Sequence, residues 1–348
     1  MPDSDTVQRL RILLAGQIAR QRGLQDRLRE RGFDVLEVDG RDRERLMDVL
    51  PDVDIAFATP SQGFVFDGDL IEAASRLRAL NSMVIGVETI DVEACTEAGI
   101  VVANGAVAEN FIGVAEATVM LMGALSLDLN AKERALRRGD FRPPSTRSAL
   151  MHERTIGLIG FGRIGRAVVE RLQGWGVRVL VYDPFVAPDR VPESVKLVEL
   201  DDLLKHSDFV SVHVALTPET RGLLSRDKLA LMKPTAYLLN NSRGHVVDEQ
   251  ALVEALHDNR LAGAAIDTWA QEPIPSDHPL LEVDHDKVIL TGHCIGHTAR
   301  VPGLLVDAAI ENAVAEAAGA LPPYVVNPRV ERAWRARLER LGLTATAR

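Results

Sequence analysis

The chain has 348 residues, a length that fits about two domains and is enough to bury a full hydrophobic core. Hydrophobic residues make up 46% and charged residues 26%, a balance that excludes a disordered, collagen-like or disulfide-dependent chain. The formal net charge of −10 argues against a surface that binds nucleic acid or an anionic membrane.

Short apolar runs alternate with helical patterns over the first third of the chain. In Gly23–Glu30, for example, Leu24 and Leu28 lie four residues apart, which is the spacing of one helix face. Strands that alternate with helices favour a parallel sheet with helical crossovers, so this third predicts one small α/β unit. The predicted strands are Arg11–Ala15, Phe33–Val38 and Asp54–Ala58, followed by strand or turn segments at Leu77–Asn81, Met83–Val87 and Gly99–Val102.

A long amphipathic helix is predicted at Val114–Arg137, and the proline-containing segment Gly139–Ser148 ends it. A second and larger α/β unit follows. An alanine-rich helix is then predicted at Pro302–Ala320, and Tyr324–Val326 is expected to return to the first unit. The predicted strands of the second unit are Thr155–Ile159, Arg178–Tyr182, Phe209–Val214, Ala236–Asn240, Ala264–Asp267 and Val288–Thr291.

The last twenty residues are locally basic and allow two interpretations. Six arginines in so short a segment are typical of an arm that binds nucleic acid. The apolar residues, however, fall on one helical face, so we favour an amphipathic helix that docks on its own protein or on a partner subunit. The arginines are Arg329, Arg332, Arg335, Arg337, Arg340 and Arg348, and the apolar face is Val330, Trp334, Leu338 and Leu341.

A glycine-rich segment, Gly160–Gly165, follows the predicted strand Thr155–Ile159 and opens a helical pattern with the GxGxxG spacing of a dinucleotide-binding turn. Gly160 permits the tight turn, Gly162 lets a pyrophosphate approach the backbone, and Gly165 lets the helix pack closely on the strand. The N–H groups at the helix start favour the phosphates. The cofactor-binding residues predicted here are Gly160, Phe161, Gly162, Arg163, Ile164 and Gly165.

An acidic residue, Asp183, ends the next predicted strand, 18 residues after Gly165 and close to the usual spacing of about 20. A carboxylate there accepts hydrogen bonds from the adenosine ribose hydroxyls and repels a 2′-phosphate. Pro184 and Phe185 follow it, so no arginine or lysine stands ready to bind such a phosphate. The sequence therefore favours NAD over NADP.

Three polar segments of the second unit follow predicted strands, at the edge where open α/β sheets bind ligands. Arg243 follows the strand that ends at Asn240 and offers a planar fork to a carboxylate. Glu272 lies shortly after another strand, and His293 follows the last one. Each residue alone is more often structural, but together they predict convergence in one cleft.

Several motifs together resemble one enzyme family over nearly the whole chain. They are NFIGVAE at 110–116, GLIGFGRIGRAV at 157–168, VHVALTPETRGLL at 212–224, NNSRGHVVDEQAL at 240–252, Glu272-Pro273 and TGHCIGHT at 291–298. On these motifs the chain resembles the D-2-hydroxyacid dehydrogenase family, which includes phosphoglycerate, glycerate, glyoxylate/hydroxypyruvate and D-lactate dehydrogenases, with formate and phosphite dehydrogenases as relatives.

The resemblance implies an NAD-dependent oxidoreductase that interconverts a small D-2-hydroxy acid and its 2-oxo acid. Arg243 would bind the substrate carboxylate and polarise the 2-oxo group, and His293 would exchange a proton with the substrate oxygen. Glu272 would hydrogen-bond the other imidazole nitrogen, orienting the ring and favouring its protonated form. The cofactor would carry the redox chemistry, by hydride transfer between nicotinamide C4 and substrate C2.

The resemblance also implies binding residues. Asp267 and the Asn241–Ser242 backbone would lie near the nicotinamide, and the Val84–Gly86 loop would grip the substrate carboxylate. The cofactor-binding residues expected beyond the glycine-rich segment are Asp183, Val214, Asn241, Ser242, Asp267, His293 and Gly296. The expected substrate-binding residues are Val84, Ile85, Gly86, Asn110 at the cleft edge, and Arg243, and no metal site is predicted.

Some positions depart from the family pattern. Gly292 replaces the usual proline before the histidine. His297, where a small residue is common, would either add a positive group near the substrate or cap the following helix, and we favour the cap. Ile85 stands where a phosphite dehydrogenase needs lysine, and Glu272 is a carboxylate where a formate dehydrogenase has an amide. These differences bear on the substrate more than on the reaction type.

The expected architecture is α/β, with two Rossmann- or flavodoxin-like doubly wound parallel-sheet domains and the active-site cleft between them. Residues 1–110 and 300–348 would form a discontinuous substrate domain, interrupted by an NAD-binding Rossmann domain at 111–299. The family implies a homodimer built on the nucleotide domain. The alternative function is an NAD(H)-sensing, corepressor-like binding protein, because such proteins can retain the same three catalytic residues on this fold.

The cysteine pattern and the absence of export signals predict the compartment. Cys95 and Cys294 form no CxxC motif and fit a reducing cytoplasm. The longest uncharged apolar stretch, Ala117–Leu127, is too short to span a bilayer, and the N-terminus lacks a signal-peptide pattern. We expect a cytoplasmic protein whose partner is a small 2-oxo or 2-hydroxy acid, with no nucleic acid and no membrane.

Overall fold

The computed structural model describes residues 9–16, 22–58, 64–142 and 147–342. The chain divides into two compact units: Met1–Val107 with Ala299–Arg348 form one, and Ala108–Thr298 form the other. The predicted boundary after residue 110 falls inside a helix that begins at Ala108 and packs within the second unit, so the boundary moves to Val107.

A parallel sheet forms the core of the first unit. Its elements before the interruption are β1 (Arg11–Ala15), α1 (Arg22–Glu30), β2 (Asp34–Val38), α2 (Arg43–Val49), β3 (Ile55–Ala58), α3 (Gly68–Ala73), β4 (Ala79–Asn81), α4 (Val92–Glu97) and β5 (Val101–Ala103). The described strands pair in the order β2-β1-β3-β4-β5, which is the flavodoxin-like order. Helical crossovers cover both faces of such a sheet, which is why β3 is apolar throughout.

The second unit is a larger parallel sheet. Its elements are α5 (Ala108–Ser126), α6 (Leu129–Arg137), β6 (Thr155–Ile159), α7 (Arg163–Arg171), β7 (Arg178–Tyr182), β8 (Val195–Leu197), α8 (Leu200–His206), β9 (Phe209–Val212), α9 (Arg226–Leu229), β10 (Tyr237–Asn240), α10 (Glu249–His257), β11 (Gly263–Ile266) and β12 (Val288–Leu290). The described strands pair in the order β12-β11-β10-β9-β6-β7-β8, the Rossmann order extended by one strand. The predicted α/β class, with parallel sheets in both domains, is confirmed.

The single helix predicted at Val114–Arg137 is wrong, because two helices, α5 and α6, occupy this stretch. Asp128 separates them with a left-handed φ of 52°. Its carboxylate accepts hydrogen bonds from the backbone N–H and the guanidinium of Arg147, both at 3.1 Å. The helical periodicity runs through this break, whereas the interaction that fixes it comes from a distant part of the chain.

Helix α5 is long and apolar enough to cross a membrane by length and composition alone. It packs against α7, with side chains such as Ala115, Thr118 and Met122 buried within the second unit. A core helix of a folded domain passes the same test, so this composition by itself does not indicate a membrane span.

The C-terminal part of the chain returns to the first unit through α11 (Val301–Ala317) and α12 (Glu331–Arg340). Between these helices, Val325 forms an antiparallel bridge with Ala103, and the N–H of Val326 donates to the carbonyl oxygen of Val102 at 2.8 Å. The predicted return of Tyr324–Val326 is therefore confirmed.

The C-terminal basic segment is the amphipathic helix α12, and it docks on its own unit. Trp334 is fully buried, and its indole N–H donates to the carbonyl oxygen of Arg78 at 2.8 Å. The guanidinium of Arg337 donates to carbonyl oxygens of residues 74, 75, 77 and 98. This arrangement confirms the docked helix, while Arg348 lies outside the described residues.

Polar side chains are buried where α11 packs near β4. The amide nitrogen of Asn81 donates to Glu316 at 2.9 Å, and both residues are completely buried. The guanidinium of Arg78 pairs with Asp54 at 3.1 Å. Burial raises the pKa of Glu316 to about 8, although the hydrogen bond from Asn81 and the charge of Arg78 act in the opposite direction. Glu316 is therefore mainly a neutral acid in the folded protein at neutral pH.

The substitution Glu316→Gln should stabilise the protein at neutral pH and flatten its pH dependence. The folded state holds the Glu316 proton up to about pH 8, whereas an ordinary glutamate loses it near 4.5, so rising pH reduces stability across that window. Glutamine still accepts from Asn81 and has no proton to lose. Urea unfolding measures the free energy of unfolding at about pH 5 and about pH 8. Between these pH values the wild type should lose a few kcal/mol more of this free energy, to order of magnitude, than Glu316→Gln loses.

The matched control is Glu97→Gln, which changes an exposed acid of the same unit and should leave the wild-type pH dependence intact. An equal loss of stability in wild type and Glu316→Gln between the two pH values would contradict the prediction.

Candidate cofactor site and active site

The glycine-rich segment lies where the strand order of the second sheet reverses direction. Strands β6 and β9 are neighbours, and the strands that follow each of them extend to opposite sides of the sheet. The segment Gly160–Gly165 follows β6, and His213 and Val214 follow β9. Open α/β sheets bind ligands at such a switch point, beyond the carboxyl ends of the strands.

Each of the three glycines meets a different constraint. Gly160 has a φ of +99°, and a Cβ there would lie 2.7 Å from the carbonyl oxygen of His213. A Cβ on Gly165 would collide with the carbonyl oxygen of Gly160, so helix α7 approaches the end of β6 at backbone distance. Gly162 is the N-cap of α7, and a Cβ there would meet open space. The fold thus requires the first and third glycines, and the second leaves room at the helix start.

The Asp183 carboxylate is fixed against the glycine-rich turn. One oxygen accepts from the backbone N–H of Phe161 at 2.8 Å, and the other accepts from the N–H of Phe185 at 2.9 Å. The Phe161 ring is buried, and the guanidinium of Arg166 lies 4.4 Å from its centroid. The structure therefore brings the predicted acid and the predicted turn together, with the carboxylate held in one orientation.

A polar turn follows β10 and carries Arg243. The Asn240 side chain organises it: its oxygen accepts from the backbone N–H of Ser242 at 3.2 Å, and its nitrogen donates to the carbonyl of Arg243 at 3.0 Å. The adjacent Asn241 is buried, and its side-chain nitrogen donates to Thr118 of α5 at 3.1 Å. The sequence reasoning recognised this polar turn but missed the role of Asn240, for which the signal was an asparagine as the last residue of a buried strand.

The loop that carries His293 is held by the buried carboxylate of Asp267. One carboxylate oxygen accepts from the Thr291 hydroxyl at 2.6 Å, the Cys294 N–H at 2.9 Å and the Ile295 N–H at 3.1 Å. The N–H of His293 donates to the Asp267 carbonyl at 2.6 Å. The sequence predicted Asp267 to lie near the nicotinamide. The structure shows that its carboxylate also fixes the conformation of this loop.

His293 and Glu272 form a hydrogen-bonded pair. The imidazole Nδ1 lies 2.8 Å from one Glu272 oxygen, and the other oxygen accepts from the backbone N–H of Trp269 at 3.0 Å. Partial burial by itself raises the pKa of the Glu272 carboxyl, but the hydrogen bonds from His293 and Trp269 and the positive charge of Arg243 outweigh it, so the pKa lies below its usual value. Glu272 is therefore ionised at neutral pH and accepts the hydrogen bond from the imidazole.

A second histidine, His213, has a different environment. Its Nε2 contacts the Ser211 hydroxyl at 2.9 Å, and burial lowers its pKa to about 4. It remains neutral at physiological pH, which leaves His293 as the better candidate for proton exchange in this unit.

A further carboxylate–histidine pair supports the Trp269–Glu272 segment and was missed from the sequence. Glu249 accepts from the N–H of Ala270 at 2.8 Å and pairs with His278 at 3.1 Å. The Trp269 indole packs edge-on against His278 and donates to the Thr291 carbonyl at 2.9 Å. Neither residue belongs to a pattern that is recognisable locally, because their partners come from distant segments.

Gly296 packs against α5, and His297 differs from expectation. Gly296 is buried against Gly113 and Val114 of α5, where a Cβ would collide with the helix, so the structure gives it a packing position. His297 is exposed, and helix α11 begins with Arg300 as its N-cap and no side-chain cap hydrogen bond. The expectation that His297 caps this helix is therefore wrong.

The predicted substrate loop, Val84–Gly86, lies in the first unit directly after β4 and is half-buried. Among the described residues, no hydrogen-bond acceptor meets the N–H groups of Ile85 or Gly86. The expected lip residue, Asn110, belongs to the first turn of α5 and therefore to the second unit.

The side chains of the second unit suit NAD. Gly162 leaves room at the N-terminus of α7 for a pyrophosphate, and Asp183 offers fixed carboxylate oxygens to ribose hydroxyls. The side-chain oxygen of Asn241 is buried without a hydrogen-bond donor, which fits an amide group such as the nicotinamide carboxamide. Among the described residues, no cluster of acidic, histidine or cysteine side chains could hold a metal ion.

Comparison with known sequences identifies the family. Residues 119–294, about half of the chain, match the family described as D-isomer specific 2-hydroxyacid dehydrogenase, NAD binding domain. The chain belongs to the D-isomer-specific 2-hydroxyacid dehydrogenase family. The predicted family is thus confirmed. The matched family model is an NAD-binding domain, so NAD as the predicted cofactor of the second unit is confirmed as well.

Individual relatives carry several names. The chain is 39% identical to D-3-phosphoglycerate dehydrogenase of Methanocaldococcus jannaschii over 73% of its length, and spans 48% of that protein. It is 38% identical to glyoxylate reductase of Korarchaeum cryptofilum over 76% of its length, covering 80% of that protein. The solved NAD complex of the NAD-dependent formate dehydrogenase from Staphylococcus aureus is 30% identical, with a TM-score of 0.73, over 88% of this chain and 95% of that one.

The second and third glycines of the motif, Gly162 and Gly165, give a matched test that separates folding from cofactor binding. Gly165→Ala should lower the melting temperature of the free protein and abolish NADH binding, because the added Cβ collides with the Gly160 carbonyl. Gly162→Ala meets open space and should lower the free protein's stability by only about 1 kcal/mol or less. It should nevertheless weaken NADH binding at least tenfold, to order of magnitude, because the methyl group occupies the pyrophosphate position.

Thermal unfolding without ligand and fluorescence titration with NADH measure the two effects. Unweakened NADH binding by Gly162→Ala would show that the pyrophosphate does not approach the backbone there.

Proposed function

We propose that this protein is an NAD-dependent oxidoreductase that interconverts a small D-2-hydroxy acid and its 2-oxo acid. The proposal rests chiefly on the 2.8 Å pair of His293 and Glu272, which follows the carboxyl ends of the same sheet that carries the glycine-rich turn. The charge of Arg243 is near enough to lower the pKa of Glu272, so these three side chains share one environment. Family membership supports the same reaction class.

The bound nicotinamide supplies the redox chemistry, and the protein supplies orientation and proton transfer. The segment Gly160–Gly165 would hold the pyrophosphate, and Asp183 would hold the adenosine ribose. Val214 would line the nucleotide, while Asn241, Ser242 and Asp267 would hold the nicotinamide end. The fixed Asp183 carboxylate would repel a 2′-phosphate, which favours NADH over NADPH.

His293 acts as the general acid in reduction and as the base in oxidation. Glu272 occupies its Nδ1, so the proton exchanged with the substrate oxygen is carried on Nε2. Glu272 fixes the ring orientation through its hydrogen bond with Nδ1, and the hydrogen bond from the Trp269 N–H keeps the carboxylate in place.

Each unit offers one group that suits a carboxylate. Arg243 presents a guanidinium, whose orientation is supported by a 2.8 Å hydrogen bond from Nη1 to the Ser242 carbonyl. The N–H groups of Ile85 and Gly86 offer a main-chain anion site in the Val84–Gly86 loop. Asn110, in the first turn of α5, is a further substrate-binding candidate. A small D-2-hydroxy acid suits this set, because its carboxylate and its oxygen both require partners.

We also propose that the protein is a cytoplasmic homodimer that uses a surface of the second unit. Large apolar side chains are exposed along one stretch of its sequence, where a monomer would leave them in water. They are Met120, Leu129, Leu136, Phe141 and Leu150, each more than half exposed.

A substrate panel tests the proposed reaction. The wild type should oxidise NADH with at least one of glyoxylate, hydroxypyruvate, pyruvate and bulkier 2-oxo acids, and should do so faster than with NADPH. Arg243→Ala should lower kcat/KM by about 100-fold or more, because a charged partner of the substrate carboxylate is lost. The matched control is Arg226→Ala, which removes an exposed arginine of the same unit that pairs with Glu254. Loss of NADH absorbance measures all rates.

Three results would count against this proposal. Tight NADH binding without turnover of any acid would favour a binding protein that senses NAD(H). Near-native turnover by Arg243→Ala would remove that residue from the mechanism. A clear preference for NADPH would contradict the role of Asp183.

The double variant Leu136→Asp, Phe141→Asp should convert a dimer into a monomer. Light scattering after size exclusion should give twice the chain mass of 38.0 kDa for the wild type and the chain mass for the variant. Phe185→Asp is the control, because Phe185 is 94% exposed in the same unit but lies outside that stretch. A monomeric wild type, or a dimeric double variant, would contradict the proposed surface.

A further inference from the structure

The peptide groups of the Val84–Gly86 loop are held from within the first unit. Its three successive carbonyl oxygens accept, in order, from the N–H of Gly105 at 3.0 Å, the side-chain nitrogen of Asn104 at 2.7 Å and the hydroxyl of Ser82 at 2.6 Å. A carbonyl and the N–H of the same peptide plane point in opposite directions. Fixing the carbonyl groups therefore also fixes the direction of the N–H groups that follow them.

Asn104 differs from the other two donors. Ser82 lies between the end of β4 and the loop, and Gly105 donates from its main chain. Asn104, the residue after β5, instead reaches the loop with its side chain. Asn104 is nearly buried, at 8% exposure. Its own carbonyl oxygen accepts from the side-chain nitrogen of Asn312 on α11 at 3.2 Å. Asn104 is thus held between the helix and the loop.

Helix α11 supports the loop at a second point. Glu316 lies one turn after Asn312 on the same face, because residues four apart in a helix are neighbours. Its carboxyl accepts from Asn81, the last residue of β4, at 2.9 Å. The helix therefore holds the carboxyl ends of both β4 and β5, and the Val84–Gly86 loop begins at the first of these ends.

We propose that Asn104, supported by Asn312 and Glu316, is a positioning residue that holds the Val84–Gly86 loop in the conformation that binds the substrate carboxylate. This inference rests on the proposed function of that loop. Asn104 itself does not touch the substrate, since its amide is engaged with the Ile85 carbonyl. The carboxylate does not react, so a loosened loop weakens binding of the ground state and the transition state alike, which raises KM more than it lowers kcat.

The variant Asn104→Ala tests the proposal. It should raise KM for the best 2-oxo acid of the panel by about tenfold, with kcat within about twofold of the wild type. The dissociation constant for NADH should not change, because NADH binds to the second unit. Steady-state rates and fluorescence titration with NADH give the three quantities.

Asn327→Ala is the matched control. Asn327 is as buried as Asn104, at 7% exposure, and its amide nitrogen donates to the carbonyl of Ile100 at 3.1 Å and to Thr96 at 2.9 Å. Its loss should lower the melting temperature without a selective rise in KM. An equal rise in KM in both variants, or a rise in the NADH dissociation constant that matches the rise in KM, would overturn the proposal.

Amide hydrogen exchange without substrate separates this inference from the proposed function. Peptides that cover residues 82–87 should exchange faster in Asn104→Ala than in the wild type, and at the wild-type rate in Asn327→Ala. A wild type that reduces no 2-oxo acid would refute the proposed function, while unchanged exchange in Asn104→Ala would refute the positioning role. If Asn104→Ala does not fold, Asn312→Ala should produce the same changes in exchange and KM through the lost support of Asn104.

Discussion

The position of the proposed general acid depends on one buried carboxylate. His293 has a left-handed φ of +54°, a conformation that costs a residue other than glycine on the order of 1 kcal/mol. Asp267, which is 4% exposed, supports this conformation because one of its oxygens accepts three hydrogen bonds from residues on both sides of His293. The imidazole is thereby presented to Glu272 from a loop whose backbone is already fixed. The strain is local, and the buried carboxylate offsets it.

In the same unit, the glycines that the fold requires differ from the glycine that leaves room for a ligand. Gly160 and Gly165 are fixed by contacts within the protein, whereas Gly162 faces open space. Gly244 packs directly on the backbone after Trp269, which brings the turn after Arg243 against the segment that leads to Glu272. Close backbone packing therefore fixes the turn that carries Arg243 relative to the segment that carries Glu272.

The features that the sequence predicted well are those written in contiguous residues. The strand Thr155–Ile159, the glycine turn and the later Asp183 follow from apolar runs and short spacings, and the structure brings them together. The break at Asp128 and the position of Asn104 escaped prediction, because their partners, Arg147 and Asn312, lie far along the chain. The periodicity of a short segment does not predict contacts between residues that lie far apart in the sequence. The roles of Arg243 and Val84–Gly86 came from family resemblance, since neither is distinctive alone.

An acidic protein that binds an anionic cofactor and an anionic substrate must attract both locally. The net charge of −10 is spread over the whole chain, and exposed charges farther away than a Debye length of about 8 Å are largely screened. The groups proposed to attract these anions are Arg243, the start of α7 and the main-chain N–H groups of the Val84–Gly86 loop. Main-chain N–H groups attract an anion only while they converge on it, because each carries a small partial charge. Affinity at such a site therefore depends on how firmly the peptide planes are held, and this is the physical basis for the proposed role of the buried Asn104 side chain behind the loop.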